Sequence, residues 1–471
     1  MVELDRAVNA ELPRAAATPF RVLVKAAAPA HPPPVPRAVA APPVTVLRNG
    51  ASVLVQPTPK VPTRPSVPSD QGAVGGFNIR WPDDDICVDV RHLLAAEAAI
   101  SPGGPPSHGT GFDLTPAVLA QVCANNALWP LRRDKATVVL FAIRGAEIAQ
   151  VPSQFVSSVR LTLANPDHRH FRCTMGVWNR IPGQPESLRV WPGSTVPNAQ
   201  YLAKQASQAE GICNLAPTGL HRFVVGPHIG PTRTISGAFR QGPPYPPHRL
   251  PERTFDTPGL SGLAFTDAIN DHSRPELASH DAIPRVGNDL HPAFAERDGS
   301  GFSSAGCQVV SGSQSADHTG EVQGASGDWH EFRAAAGLVT PPGGTQDGWE
   351  YDYLLVNGRE ARLTAIADPQ QHDLLRRFRY GSIDPPAGQP RASPFGAITV
   401  TSLQKGLAAA AKTPSGFRDR VRRFANPDGL GHDGKFFGDT LRLVLAWQAA
   451  DRGGRADGIV DLAMLKDLHI A

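Results

Sequence analysis

The sequence predicts a multidomain α+β protein, with mainly β units in its N-terminal and central parts and a small all-α bundle at its C-terminal end. Three observations predict this. The 471 residues suffice for several folded units at roughly 100–200 residues each. Proline (47) and glycine (45) are both abundant, which favours turns, extended segments and short strands over long helices. Apolar residues fall in short β-branched runs through most of the chain, then at helical spacing from residue 395 onward.

The elements follow in order. Residues 1–72 form a Pro-rich extended arm or linker, with His31-Pro32-Pro33-Pro34-Val35-Pro36 at its centre. Two strand-like patches interrupt it, Val44 to Leu47 and Ser52 to Gln56. Residues 73–205 read as a β-rich unit. Its helix spans Pro116 to Leu128, with Thr115 as N-cap and Pro116 in the first helical position. Thr137 to Ile143 is a continuous apolar run, the mark of a buried strand, and Phe155 to Leu163 and Cys173 to Trp178 are further strands. Residues 206–360 are loop-rich, with strands at Arg222 to Val225, Gln308 to Ser311 and Tyr351 to Val356. Residues 361–394 read as a linker. Residues 395–471 hold helices at Val400 to Ala411, Arg418 to Phe424, Thr440 to Asp451 and Leu462 to Leu468.

Composition excludes several classes. A net charge of +3, with no long Lys/Arg run, argues against nucleic acid as a partner. No run of 18 apolar residues predicts a membrane span, and Met1 to Phe20 lacks the apolar core of a signal peptide. Five scattered cysteines without a CxxC spacing argue against a disulfide framework or a zinc finger. Asp83-Asp84-Asp85 reads as a solvated acidic turn. A zinc peptidase built from His228, His280 and Asp281 is conceivable, but no HExxH spacing supports it. No metal or organic cofactor is implied.

One cysteine stands apart. Cys307 follows Ser303-Ser304-Ala305-Gly306 and directly precedes the strand-like Gln308-Val309-Val310, while Asn288-Asp289-Leu290-His291-Pro292 lies upstream. A nucleophilic cysteine needs its thiolate, and a nearby imidazole supplies the base or the counter-ion. A tight glycine turn presents successive amide N–H groups that suit an oxyanion. A histidine followed by a loop and then Ser-x-Gly-Cys resembles the active-site pattern of the YkuD-type L,D-transpeptidases. The resemblance covers about 150 residues, from Gly211 to Val356, and is strongest from Gly287 to Val310. Asn214 to Gly219 and Phe223 to His228 are similar to the turn and strand that precede that site.

The resemblance implies Cys307 as nucleophile and His291 as base. It implies the amides of Gly306 and Cys307 as oxyanion donors, Ser304 as the serine of the motif, and the carbonyl of Pro292 as the group that orients the imidazole. His228, Asn288, Asp289, Ser303 and Gln308 are the substrate-binding candidates. The substrate implied is a peptidoglycan tetrapeptide stem, from which the cysteine expels the terminal D-alanine before passing the acyl group to an amine or water. Gln308 and Val309 after the cysteine, and Pro292 after the histidine, depart from the family's pattern and bear on acceptor and substrate orientation.

The C-terminal order Asp433-Gly434, Phe437-Gly438, Thr440, Trp447-Gln448, Asp457-Gly458-Ile459-Val460 resembles a three-helix peptidoglycan-binding domain, with Leu403-Gln404 as its opening. Asp433, Trp447, Gln448 and Asp457 are its binding candidates, although helical spacing makes Trp447 a core residue more readily than a sugar platform. Two functions remain open. One is a peptidoglycan-directed cysteine enzyme. The other is a non-catalytic peptidoglycan-binding component of a phage tail or contractile injection particle, docked through the N-terminal arm. Both expect a chain made in the cytoplasm that reaches the wall by a particle or by lysis.

Overall fold

Strand β1, Val138–Arg144, is buried along its whole length. That explains its uninterrupted apolar run, because a strand covered on both faces has no solvent side on which to alternate polar residues. It belongs to a closed eight-stranded barrel with β2 (Cys173–Asn179), β3 (Ser187–Ser194), β4 (Gly219–Ile229), β5 (Thr234–Gln241), β6 (Leu290–Pro292), β7 (Gln308–Val310) and β8 (Glu350–Asn357). The order around the barrel is β3-β7-β6-β5-β4-β8-β1-β2, with β2 pairing β3 to close it. Two pairs are parallel, β6 with β7 and β8 with β1. The computed structural model describes residues 44–48, 51–55, 73–74, 77–79, 90–101, 103, 108–129, 138–208, 215–229, 234–243, 255–256, 288–297, 301–314, 324–339, 346–385, 393–413, 415–421, 431–451 and 456–471.

The chain divides into two units, Met1–Val67 and Pro68–Ala471. In the first, Val44–Arg48 pairs antiparallel with Ala51–Val55, Val44 opposite Val55 and Arg48 opposite Ala51. Asn49-Gly50 stands between them, the dipeptide that two-residue hairpins favour.

In the second unit, alternation along the strands sorts the barrel's two faces. Leu140, Met175, Trp191, Phe223, Phe239, Leu290, Val310 and Tyr353 fill the interior. After helices α1 (Leu94–Ile100) and α3 (Ala199–Gln208), helix α4 (Gly327–Ala335) adds Trp329 and Phe332 to that interior cluster. Val139, Phe141, Ile143, Leu354 and Val356 face the other way. They are covered by α2 (Pro116–Asn125), α5 (Gly358–Ile366) and a three-stranded sheet of Gly111–Leu114, Val159–Leu163 and Ala146–Ile148. Thr115 caps α2 through its side chain, which accepts from the Val118 amide at 3.2 Å. The strand expected from Phe155 begins at Val159, with Val156 making only an isolated bridge to Leu188.

Two expected boundaries are corrected. The division at 205/206 falls inside the barrel, because β1 to β3 and β4 to β8 close one sheet between them. The supposed linker 361–394 carries much of α5 and then a buried connector. In it Phe378 and Val460 exchange backbone hydrogen bonds, Arg377 N donates to Asn125 O, and Gly381 N donates to Phe436 O. Glu360 and Arg379, both almost fully buried, form a two-pronged ion pair at 2.7 and 2.8 Å. The fold is thus α+β, with its helical end joined to the barrel by buried backbone.

The C-terminal helices are α6 (Val400–Lys412), α7 (Gly416–Val421), α8 (Gly438–Asp451) and α9 (Leu462–Asp467). Leu403, Leu407, Val444, Leu445, Trp447 and Leu465 share one core with Phe378 and Tyr380. Thr399 opens α6 with a reciprocal capping box to Ser402. The helix expected from Thr440 begins two residues earlier, so Asp439 lies within the first turn of α8. Residues 422–424 of the expected second helix, Asp83 to Asp85, Cys87, Cys213, Gly287 and the proposed zinc ligands His280 and Asp281 lie outside the described residues. Among the described residues no helix is long and apolar enough to cross a membrane.

Candidate active site

The parallel ladder of β6 and β7 builds the site. Leu290 is opposite Gln308, His291 opposite Val309 and Pro292 opposite Val310. Asp289 and Cys307 each stand one residue before their strand, and the Gln308 amide donates to Asp289 O at 2.7 Å. Leu290 and Val310 belong to the barrel interior, whereas Val309 packs with Val196, Phe171, Ala293 and Phe302 outside it. A register set by these apolar residues therefore brings His291 next to Cys307.

His228, His291 and Cys307 converge, with one ligand atom from each within 4.8 Å of the others. The His291 Nδ1 lies 2.7 Å from Pro292 O. A carbonyl only accepts, so Nδ1 carries the proton and Nε2 the lone pair. The imidazole of His228 stacks on that of His291, with centroids 4.3 Å apart and planes 23° from parallel. Its Nδ1 donates to Asp289 Oδ2 at 2.8 Å, and the other oxygen of Asp289 accepts from the Gln241 amide at 3.0 Å. Both rings thus have Nδ1 committed to an acceptor.

The turn before Cys307 is held by Ser304. Its hydroxyl donates to Cys307 O at 2.8 Å and accepts from the Gly306 amide at 3.0 Å. Gly306 has φ +138°, which glycine adopts without strain. This corrects one expectation: the Gly306 N–H is spent on Ser304 and does not serve an oxyanion in this conformation. Cys307 itself is half-buried. Burial pushes its thiol above the ordinary cysteine range, and the Asp289 carboxylate adds to that, while hydrogen bonds from the Asp289 and Cys307 amides pull the other way. The sulfur therefore rests as a neutral thiol rather than as half of an ion pair. Proton removal has to accompany attack, which makes His291 a general base.

The remaining candidates divide. Gln308 is fully buried, donates to Gly306 O at 3.2 Å and accepts from Tyr353 OH at 2.9 Å. Alternation turns it into the barrel, where it supports the turn. Asn288 is likewise buried, its backbone amide donating to Gln241 Oε1 at 3.1 Å. Ser303 stays partly exposed, its amide donating to Ala293 O at 3.0 Å, with Tyr201 OH 3.4 Å from its hydroxyl. His228 and Asp289 were each anticipated near the substrate. Their pairing was not, because 61 residues separate them and no local spacing announces it.

The four wall-binding candidates all make contacts within the helical end. Gln448 is buried and donates to Asp457 Oδ1 and Ile459 O at 2.9 Å each, while its Oε1 accepts from the amides of Asp457 and Gly458. Gln404 repeats the arrangement, donating to Asp433 Oδ1 at 2.9 Å and Lys435 O at 3.1 Å and accepting from the Gly434 amide. Asp433, Asp457 and Gln448 therefore clasp two Asp-Gly turns, and Trp447 is buried in the helical core. Comparison of the chain with protein-family models, with curated proteins and with solved structures finds no match, so the reading of this site rests on its own geometry.

Proposed function

We propose that the chain is a peptidoglycan-directed cysteine acyltransferase or peptidase of the L,D-transpeptidase type. One observation carries this: His291 on β6 and Cys307 in the turn just before β7 meet, with the Pro292 carbonyl fixing the tautomer that makes Nε2 the base. In the proposed reaction, Cys307 Sγ attacks the carbonyl of the stem peptide while its proton passes to His291 Nε2. The imidazolium returns that proton to the departing amine of D-alanine. The resulting thioester is then resolved by an acceptor amine or by water, deprotonated by the same nitrogen. Ser304 holds the turn that aims the sulfur, and the Asp289–His228 pair stacks against the working imidazole.

A second reading has its own support. A thiol raised by burial and by a neighbouring carboxylate suits a wall-binding component of a phage tail or injection particle that keeps the site without turning over. Incubation with purified sacculi, followed by mass analysis of the muropeptides, separates the two. The enzyme reading expects exchanged or trimmed stems with the wild type and none with Cys307→Ala. Identical muropeptides from both proteins would reject it.

A further inference from the structure

Three donor side chains of a kind that transition metals favour meet at the candidate active site. His228 offers an imidazole from β4, His291 one from β6, and Cys307 a sulfur from the turn before β7, with one ligand atom of each within 4.8 Å of the others. Two imidazoles and a thiolate are a ligand set for zinc that keeps a fourth position open. Tetrahedral coordination sets such donors roughly 3.3–3.8 Å apart, so the cluster closes by on the order of 1 Å on binding.

The surroundings point the same way. Metal-binding histidines donate their second ring N–H to a carboxylate or a carbonyl, which fixes the tautomer and aims the other nitrogen at the ion. Here the Asp289 carboxylate takes the N–H of His228 at 2.8 Å and the Pro292 carbonyl takes that of His291 at 2.7 Å. Each ring is thereby set to present Nε2. The rings stack with centroids 4.3 Å apart, which keeps them side by side. A catalytic imidazole needs one such orienting partner. A second imidazole, independently oriented by its own carboxylate within reach of the same sulfur, is more than acyl transfer requires.

We propose that His228, His291 and Cys307 bind a soft or borderline divalent ion, with Zn2+ the best fit, and that the bound ion takes the nucleophile out of use. Binding breaks the Sγ–H bond, releases that proton to solvent, and forms one metal–sulfur and two metal–nitrogen bonds, with water or a solute anion in the fourth place. No electron changes hands. The binding stands on the cluster alone; its consequence for turnover rests on the activity proposed above.

The test uses the full chain, stripped of metal with a chelator and titrated with Co2+. The expected result is a thiolate-to-cobalt charge-transfer band that saturates at one equivalent and is displaced by Zn2+. Cys307→Ser abolishes the band, His228→Gln weakens binding at least tenfold, and Asp289→Asn weakens it by about 10–100-fold through the lost orienting bond. Circular dichroism of each variant shows whether it is folded. A second readout needs no variant: Zn2+ protects Cys307 of the wild type from iodoacetamide, as read by peptide mass mapping. Absence of the band at one equivalent, its survival in Cys307→Ser, or alkylation of Cys307 indifferent to Zn2+ overturns the site. On sacculi, Zn2+ is expected to suppress turnover and chelator to restore it. Faster turnover with the ion bound overturns the blocking role. A metal-free protein without turnover rejects the activity while leaving the cobalt spectrum to decide the site.

Discussion

At the site, Cys307 is governed by two opposed influences, burial with the Asp289 carboxylate on one side and backbone amides on the other, and the first pair wins. Alkylation of Cys307 by iodoacetamide should therefore rise steadily through alkaline pH, without levelling off below the ordinary thiol range. Asp289→Asn removes the charge that disfavours the thiolate and should speed alkylation several-fold at fixed pH. An unchanged rate in that variant would contradict the assignment. Ser304→Ala strips the bond to Cys307 O and leaves the buried Gly306 amide without its acceptor. A loss of about 1–3 kcal/mol is expected by urea unfolding, with slower turnover on sacculi. The sequence made Cys307 and His291 legible because a Ser-x-Gly-Cys turn is a local pattern. It did not reveal that Gln308 turns into the barrel, since which face a residue shows depends on neighbouring strands far away in the chain. The partnership of His228 with Asp289 left no local trace.

Among the elements, strands β3 and β7 touch where Gly193 pairs with Val310. A Cβ at Gly193 would run into Val309 O and the Met175 side chain. Gly193→Ala should push β7 away from β3 and cost about 1–3 kcal/mol or more, read as a lowered melting temperature together with loss of turnover. In the helical end, the clasps made by Gln404 and Gln448 predict that Gln448→Ala orphans the buried amide of Gly458. The expected cost is about 1–3 kcal/mol by chemical denaturation, well above that of a surface glutamine. Helices and buried strands were readable here because their signals are local: the Thr115 cap, the continuous apolar run of β1, the periodicity after residue 395. The clasping role of Asp433 and Asp457 was hidden, because a turn aspartate and a ligand-binding aspartate look alike in sequence.

Over the whole molecule, the boundaries drawn from composition failed where the barrel ignores them. A closed sheet joins segments by pairing, and neither a loop-rich passage nor a run of prolines reveals that the strands beyond it return to the same barrel. The buried connector 375–382 was missed for a related reason, since nothing local marks the backbone partners it finds at Asn125, Phe436 and Val460. Arg379→Ala leaves Glu360 charged and uncompensated among buried groups, and a loss of about 3–5 kcal/mol is expected by urea unfolding. Stability should also depend on acid. Burial pushes the imidazoles of His168 and His221 down to about 4, against the carbonyls of Pro197 and Pro217 that they contact. The unfolded chain binds those protons near pH 6.5. Below about 6.5 the unfolded state gains protons that the native state refuses, so stability falls as pH drops towards about 4, by as much as roughly 3 kcal/mol per histidine. Urea midpoints at pH 7 and pH 5 measure this, and equal midpoints would count against it.

That β6 and β7 run in the same direction has one more consequence. The separation between ring and sulfur is fixed by rungs of a ladder and by the Ser304–Gly306 turn, and the sequence between Arg297 and Gly301 supplies neither. Doubling such a segment costs about 0.6 kcal/mol in closure entropy. It is open ground for insertions that reshape the mouth of the site without disturbing its chemistry. A single residue added within β7 is another matter, for it would turn the sulfur to the opposite side of the wall of strands.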